Sequence, residues 1–151
     1  MKEKLPNFLI VGAAKCGTSS LHNYLNQHPD IFMPTFTSEG LKVKEPRFLI
    51  KNEVKNRLPK GIWNYEDYKS LFDSATNEIA IGESTVLYLY YYNEAIRNIK
   101  KYLSEDVRII IMLRNPIDRA YSAYSFASRT HQENQNFKEA LMNARKRFDK
   151  D

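Results

Sequence analysis

The sequence predicts an α/β fold with three layers, in which a central parallel sheet is flanked by helices. Two stretches predict it. Residues 7–11 and 107–113 are apolar at nearly every position, as is typical of strands buried on both faces of a parallel sheet. Each stretch leads through a short loop into a helical pattern, and this alternation of strand and helix is characteristic of α/β domains.

The other elements follow from spacing and from capping residues. Leu21 and Leu25 lie four residues apart on the helix after the first strand, and Asn64 is a suitable N-cap for a short helix. Four residues of the last helix recur at helical spacing and are expected to be buried: Phe137, Leu141, Ala144 and Phe148. The predicted elements in chain order are a strand at residues 7–11, a helix at 18–28, a loop at 42–60, a helix at 65–74, a strand at 79–82, a helix at 90–103, a strand at 107–113, and helices at 116–129 and from 136 onward.

The loop between the first strand and the first helix predicts a phosphate site. The first N–H groups of a helix have no intrahelical partner, and both the helix dipole and Lys15 add positive charge there. Gly12 and Gly17 have the spacing of a Walker A loop, but Thr18 stands where the lysine of that motif belongs. The predicted fold is therefore P-loop-like, whereas a nucleoside triphosphate with its magnesium ion is disfavoured as the ligand.

A second phosphate site is predicted where the strand at residues 107–113 ends. Arg114 follows this strand, and open α/β sheets bind ligands at the carboxyl ends of their strands. Asn115 and Pro116 are typical of the N-cap and first residue of a helix. Ser122 lies two turns further on, on roughly the same face as Asn115. An arginine and a hydroxyl can together bind a phosphate that is separate from the first.

Three segments together resemble the sulfotransferases that use 3′-phosphoadenosine-5′-phosphosulfate (PAPS). Residues 15–21 match the family's K-x-G-T-[ST]-x-L loop, and residues 114–124 match its R-x-P-x-x-R-x-x-S-x-Y stretch. Residues 44–48 resemble the K-E-x-x-F element of the heparan-sulfate-type and bacterial members. All three occur in the family's order. The resemblance implies PAPS as the co-substrate and a reaction that needs no metal ion.

The resemblance also implies roles for individual residues. Glu45 corresponds to the proposed general base, and Lys15 would stabilise the charge that gathers on the leaving phosphate. Arg114 and Ser122 would bind the 3′-phosphate. The residues implied to bind the donor are Lys15, Cys16, Gly17, Thr18, Ser19, Ser20, Arg114 and Ser122.

Several of these residues have alternative roles. Glu45 could simply pair with Lys44 or Arg47, and an exposed pair of that kind contributes little to stability. Glu83, in a Gly-Glu pair after a strand, is a second candidate base, or it holds the adjacent loop. Cys16 is expected to fill the loop, because no histidine can be assigned as its partner. The three histidines are too scattered in the sequence to predict a metal site.

The positive charge of the chain is concentrated in one segment. Residues 42–60 hold seven basic and two acidic residues, an excess equal to the whole net charge of +5. A local basic surface attracts anions, so the segment predicts an anionic or carbohydrate acceptor, such as a uronate-containing or sulfated glycan. A solvated loop is the alternative interpretation. No nucleic-acid partner is predicted, because the aromatic residues do not alternate with the basic ones.

Composition and length bound the remaining properties. The single cysteine excludes an internal disulfide and favours a reducing compartment, so we expect a cytoplasmic protein. No stretch approaches the roughly 18 apolar residues of a membrane span. The family's domains run past the second phosphate motif. We therefore expect residues 1–151 to be the N-terminal portion of a single sulfotransferase-like domain that is incomplete at its C-terminus.

Three functions are consistent with the sequence. The first is a PAPS-dependent sulfotransferase. The second is a P-loop kinase or NTPase, which would need a magnesium-binding acid after a strand, where Leu113 and Arg114 stand instead. The third is a truncated, non-catalytic fragment that binds nucleotide or an anionic glycan. The sequence leaves open the acceptor, the choice between O- and N-sulfation, the oligomeric state and activity without a C-terminal half.

Overall fold

The computed structural model describes residues 4–37 and 39–148. The chain forms two compact units, one ending at Leu113 and one beginning at Arg114. The first unit contains a parallel sheet, four helices and two 3₁₀ turns, and the second contains two helices. The elements of the first unit are β1 (Phe8–Gly12), α1 (Thr18–Leu25), β2 (Ile31–Phe32), a 3₁₀ turn (Phe48–Ile50), α2 (Lys51–Val54), α3 (Tyr65–Ser70), β3 (Ala80–Ser84), a second 3₁₀ turn (Val86–Tyr88), α4 (Tyr92–Tyr102) and β4 (Arg108–Ile111), and those of the second are α5 (Pro116–Arg129) and α6 (Phe137–Phe148).

The four strands form one parallel sheet in the order β2-β3-β1-β4. β1 is central, and its Ile10 lies opposite Ser84 on one side and Ile110 on the other. Because the strands are parallel, the carboxyl ends of β1, β3 and β4 lie at the same edge. The loop after β1, which carries Lys15, therefore starts from that edge.

Apolar side chains cover both faces of the sheet. Leu9 of β1 belongs to the larger core cluster, which includes Ala95 of α4. Ile10 belongs to the smaller cluster, against which Leu21 and Leu25 of α1 pack. Helices therefore lie on both faces, which confirms the predicted three-layer α/β fold.

The segment at residues 42–60 is not the loop that the sequence predicts. It contains the first 3₁₀ turn and α2, and Phe48, Leu49 and Ile50 are fully buried in the larger core cluster. The physical reason is that an apolar run, Phe48–Ile50, lies within the basic segment. Its burial in the core outweighs the solvation of the charged residues around it.

Two expectations about burial are wrong. β4 pairs only with β1 within the described sheet, so it is an edge strand, and Ile109 and Ile111 are 47% and 51% exposed. In α6, Leu141 is 57% exposed and Ala144 is also exposed. The predicted face is therefore buried only in part, through Phe137, which packs against two tyrosines of α5. These tyrosines are Tyr121 and Tyr124. The side chain of Phe148, the fourth residue of the predicted face, lies outside the described residues.

Candidate functional site

The phosphate loop begins at Gly12, in a backbone conformation that requires glycine. Gly12 has a φ of 149°, and an added Cβ would lie 2.9 Å from the carbonyl oxygen of Val86. The start of the loop is also hydrogen-bonded to Met112, the residue that directly follows β4. The Ala13 N–H donates to the Met112 carbonyl at 2.9 Å, and the Met112 N–H donates to the Gly12 carbonyl at 2.8 Å. The loop is therefore fixed at the carboxyl end of the sheet.

The loop ends at Gly17, which leaves the start of α1 suited to an anion. Gly17 is the N-cap of this helix, has a φ of 89°, and offers no side chain to cap the first N–H groups. No acidic residue lies in the first turn of α1. Lys15, half-buried and with a φ of 66°, adds its charge to the same loop. These features together favour binding of a phosphate.

The side chains of the loop divide into buried and exposed ones. Cys16 and Thr18 are 8% and 4% exposed, whereas Ser19 and Ser20 are open to solvent. The Cys16 thiol lies 3.6 Å from the Ala14 carbonyl oxygen, so this cysteine fills the loop as predicted. A ligand in the loop would therefore meet the backbone at Cys16 and the hydroxyls at Ser19 and Ser20.

A cavity of about 690 Å³ lies between the first turn of α1 and the candidate base. Ser19, in the first turn of α1, lines one side of it, and Glu45 lines it from the K-E-x-x-F element. The Glu45 carboxylate is 3.2 Å from Lys44 Nζ and 3.5 Å from an Arg47 guanidinium nitrogen. Its side chain keeps 20% exposure. Glu45 thus forms the ion pairs that the sequence allowed and also faces the cavity.

The cavity is strongly basic. Four basic side chains and one acidic side chain line it: Lys42, Lys44, Arg47, Lys60 and Glu45. Nearby His22 adds no charge at neutral pH, because burial and, to a smaller extent, the charge of Lys44 lower its pKa to about 4. The cavity is therefore suited to an anionic ligand.

Glu83, the second candidate base, is fully buried. Its carboxylate accepts hydrogen bonds from three hydroxyls, those of Thr85 at 2.6 Å, Tyr68 at 2.9 Å and Tyr88 at 3.1 Å. Burial raises the pKa of Glu83 to about 7, although the three hydroxyls act in the opposite direction. A carboxylate with no exposed surface is not accessible to an acceptor, so the geometry favours the structural role for Glu83. No sequence pattern beyond the Gly-Glu pair indicates this network, because its two tyrosines come from α3 and from the second 3₁₀ turn.

The second phosphate motif lies in the second unit, and its helix start is as predicted. The Asn115 side chain accepts a hydrogen bond from the Ile117 N–H at 2.9 Å, and Pro116 is the first residue of α5. Arg114 is exposed immediately before this cap, and Ser122 is half-buried on α5. Both side chains have the local setting that the motif predicts, while their role in binding stays a prediction.

Two searches over residues 4–37 and 39–148 gave negative results. No group of three or more His, Cys, Asp or Glu side chains is arranged to hold a metal ion. No helix in this part of the chain is both long and apolar enough to cross a membrane.

Comparison with known proteins agrees with the motifs. The sequence matches the family described as "Sulfotransferase domain" over residues 5–148. The fold is similar to the crystal structure of a sulfotransferase from Alicyclobacillus acidocaldarius, with a TM-score of 0.79 and 39% identity over 97% of this chain and 59% of that one.

Curated relatives include carbohydrate sulfotransferase 15 from Homo sapiens, which is 27% identical over 96% of this chain. Another is the human bifunctional heparan sulfate N-deacetylase/N-sulfotransferase 2, which is 32% identical over 81% of this chain. The matched regions span 31% and 13% of the lengths of these two relatives.

Proposed function

The chain belongs to the sulfotransferase domain family, and we propose that it transfers a sulfuryl group from PAPS to a hydroxyl or amine of a glycan. The observation that carries the proposal is the basic cavity of the first unit. In this cavity Ser19, at the start of the helix that follows the phosphate loop, and Glu45 line the same space. A donor in the loop and an acceptor beside Glu45 would therefore meet there.

The donor would be bound through its phosphates. Lys15 and the open N–H groups at the start of α1 would bind the 5′-phosphosulfate and stabilise the negative charge left on the phosphate. Arg114 and Ser122, which match the second motif, would bind the 3′-phosphate through a guanidinium and a hydroxyl. We propose PAPS as the co-substrate on the combination of these two motifs.

The transfer itself would be an in-line displacement. A lone pair on the acceptor oxygen or nitrogen would attack sulfur, and the bond between sulfur and the bridging oxygen of the 5′-phosphate would break. The electrons of that bond would remain on adenosine 3′,5′-bisphosphate. Glu45 would accept the acceptor proton, and Lys44 and Arg47, at 3.2 and 3.5 Å, would hold its carboxylate in place.

The acceptor would be an anionic glycan. The basic lining of the cavity supports an acceptor that carries carboxylate or sulfate groups. Two of the similar proteins are named for carbohydrate and heparan sulfate sulfotransferases, which supports the same class. A cytoplasmic location, based on the single cysteine, stays a prediction.

Nucleotide titration tests the proposed donor. Adenosine 3′,5′-bisphosphate at 100 times its Kd should raise the free energy of unfolding by about 2.7 kcal/mol in a thermal-shift measurement. We expect a much weaker response to 5′-AMP and to Mg-ATP, because neither presents a 3′-phosphate. Lys15→Ala and Arg114→Ala should each weaken the response.

Lys55→Ala is the matched control for these substitutions. Lys55 is an exposed lysine that does not line the cavity, so its removal changes the net charge equally without touching the proposed site. An equal response to Mg-ATP would favour a P-loop kinase or NTPase instead. A chain that responds to none of the three nucleotides would contradict the proposal.

A further inference from the structure

The hydroxyls around Glu83 connect it to the segment that carries Glu45. Thr85 donates to one carboxylate oxygen of Glu83 and accepts a hydrogen bond from the Arg47 N–H at 3.3 Å. Tyr88 donates to the other carboxylate oxygen and accepts from the Leu49 N–H at 3.3 Å. Two of the three hydroxyls that donate to Glu83 therefore also accept hydrogen bonds from backbone N–H groups. These N–H groups lie two and four residues after Glu45.

The third hydroxyl lacks this connection. Tyr68 donates to Glu83 at 2.9 Å, and its contact with the Glu45 segment is made by its ring, which stacks on Phe48 with centroids 4.5 Å apart. Tyr68 and Tyr88 are both fully buried and use the same carboxylate oxygen. They therefore form a natural matched pair, in which only the Tyr88 hydroxyl is bound to the backbone of the segment.

Arg47 transmits the backbone position to Glu45. It has a φ of 60°, a conformation that a residue with a side chain adopts only when its surroundings hold it there. Its guanidinium donates to the Lys60 carbonyl at 2.6 Å and to the Glu45 carboxylate at 3.5 Å. A change in the Arg47 backbone would therefore move a group that contacts the candidate base.

The same network is bound to the strand that leads into the phosphate loop. The Thr85 N–H donates to the Ile10 carbonyl at 3.1 Å. Since Ile10 is part of β1, two residues before Gly12, Thr85 holds a fixed position relative to the start of the loop. Thr85 thus links the strand before the donor loop to the segment that carries the base.

We propose that Glu83 is a positioning residue for the transfer reaction, which through Thr85 and Tyr88 fixes the backbone of residues 45–49 and aims the Glu45 carboxylate into the cavity. This inference rests on the proposed function. In its ionised form Glu83 suits the task, because its two oxygens then accept hydrogen bonds without donating any, so all three hydroxyls point inward and their own lone pairs stay available to the N–H groups. The charge of Glu45 also contributes to the raised pKa of Glu83, after the larger effect of burial, which is consistent with the proximity of the two carboxylates.

Conservative substitutions of the hydroxyls test the proposal. Thr85→Val and Tyr88→Phe each remove one link to the segment, whereas Tyr68→Phe removes a bond to Glu83 without removing a link. The first readout is the side-chain carboxyl ¹³C resonance of Glu45, assigned by its loss in Glu45→Gln. The second is kcat for sulfuryl transfer, with the affinity for adenosine 3′,5′-bisphosphate measured in parallel.

We expect the Glu45 resonance to shift in Thr85→Val and Tyr88→Phe and to stay in place in Tyr68→Phe. In the first two variants kcat should fall by about ten- to a hundredfold, because small misplacements of a reacting group are costly, while nucleotide affinity is unchanged. Thr85→Ser keeps the hydroxyl and should restore both readouts.

A Glu45 resonance that is the same in all three variants, or that shifts equally in all three, would overturn the proposal and leave Glu83 with a purely structural role. The resonance decides this point even if the wild-type chain transfers no sulfuryl group. If the proposed function is wrong, the wild-type protein itself will fail to bind adenosine 3′,5′-bisphosphate or to transfer a sulfuryl group.

Discussion

Glu45 and Glu83 belong to the same compact unit, but their surroundings are opposite. Glu45 lies beside two cations, keeps 20% of its side chain exposed and faces a cavity of about 690 Å³. Glu83 has no exposed surface and is surrounded by three hydroxyls, with burial raising its pKa to about 7. The first carboxylate is accessible to a substrate, whereas the second contacts only other residues of the protein.

The difference in surroundings indicates different roles for the two carboxylates. Partly exposed ion pairs contribute little to stability, so the Glu45 pairs are expected mainly to orient its carboxylate, as the proposed role requires. Buried hydroxyls that lose their acceptor are costly, so the Glu83 network must be complete for the unit to fold well. Substitutions at Glu45 should therefore affect activity with little effect on stability, whereas those at Glu83 should lower stability as well as activity.

The largest effect on stability is expected for Glu83→Ala. The substitution leaves three buried hydroxyls without their acceptor and opens a cavity, so the free energy of unfolding should fall by about 3–5 kcal/mol. Urea unfolding near pH 4.5, where the contribution of Glu83 is still present, measures this loss. Glu45→Ala, the matched control, should cost less than about 1 kcal/mol. Similar losses in the two variants would remove the distinction between the two carboxylates.

The pH dependence of stability should be the next largest effect. Folding raises the pKa of Glu83 from 4.5 to about 7, so the native state holds a proton that the unfolded chain releases between these pH values. The contribution of Glu83 is therefore present below pH 4.5 and is lost as pH rises to 7, by about 3 kcal/mol.

His22 has the opposite sign in a similar window, because folding lowers its pKa from 6.5 to about 4. The pH dependence of wild-type stability alone would mix the two contributions. The quantity to measure is therefore the difference in the free energy of unfolding between wild type and Glu83→Gln. This difference should fall from pH 4.5 to 7. A difference that is constant or that rises with pH would contradict the raised pKa of Glu83.

Glu94 extends the comparison to a buried carboxylate that accepts hydrogen bonds from backbone N–H groups rather than from hydroxyls. It is 3% exposed and accepts the N–H groups of Asn52 and Glu53, both at 3.2 Å, at the start of α2. Glu94→Ala should cost about 1–2 kcal/mol in urea unfolding, as the loss of an N-cap does. Glu53→Ala, an exposed acid on the same helix, should change stability by no more than about 0.5 kcal/mol. Equal effects would show that α2 does not depend on Glu94.

The smallest effect is expected for Lys44→Met. The Lys44–Glu45 pair is partly exposed, so its loss should cost less than about 1 kcal/mol. The pKa of His22 should rise in this variant and yet stay below 6.5, because burial is the larger cause of its lowering. NMR titration of the imidazole measures the change. A pKa of His22 that does not respond would show that Lys44 is not close to it.

The parts of the fold that could be predicted are those with local signals. The strand before Gly12, the loop that ends at Gly17 and the start of α5 at Asn115 depend on residues that are adjacent in the sequence. Lys15 and Glu45 could be predicted as candidate residues in the same way, because each lies in a short motif. The cavity that joins Ser19 to Glu45 could not be predicted, because it depends on how separate segments pack.

Other features failed for the same reason. The basic residues around Phe48–Ile50 suggested a solvated loop, whereas tertiary packing buries this apolar run. β2 has only two residues, too few for a pattern. The environment of Glu83 depends on Tyr68 and Tyr88, which lie 15 and 5 residues away, so its sequence position left both of its roles open.

The central claim is that Glu45 acts on the acceptor, while Glu83 stabilises the fold and holds the segment that carries Glu45. The most direct test is the initial rate of sulfuryl transfer from labelled PAPS to an anionic glycan, compared between wild type and Glu45→Gln. The account predicts a fall of about 10²–10⁴-fold in the variant, with unchanged affinity for adenosine 3′,5′-bisphosphate and unchanged stability. A variant that transfers at the wild-type rate, or a wild-type chain that binds the nucleotide without transfer, would contradict it.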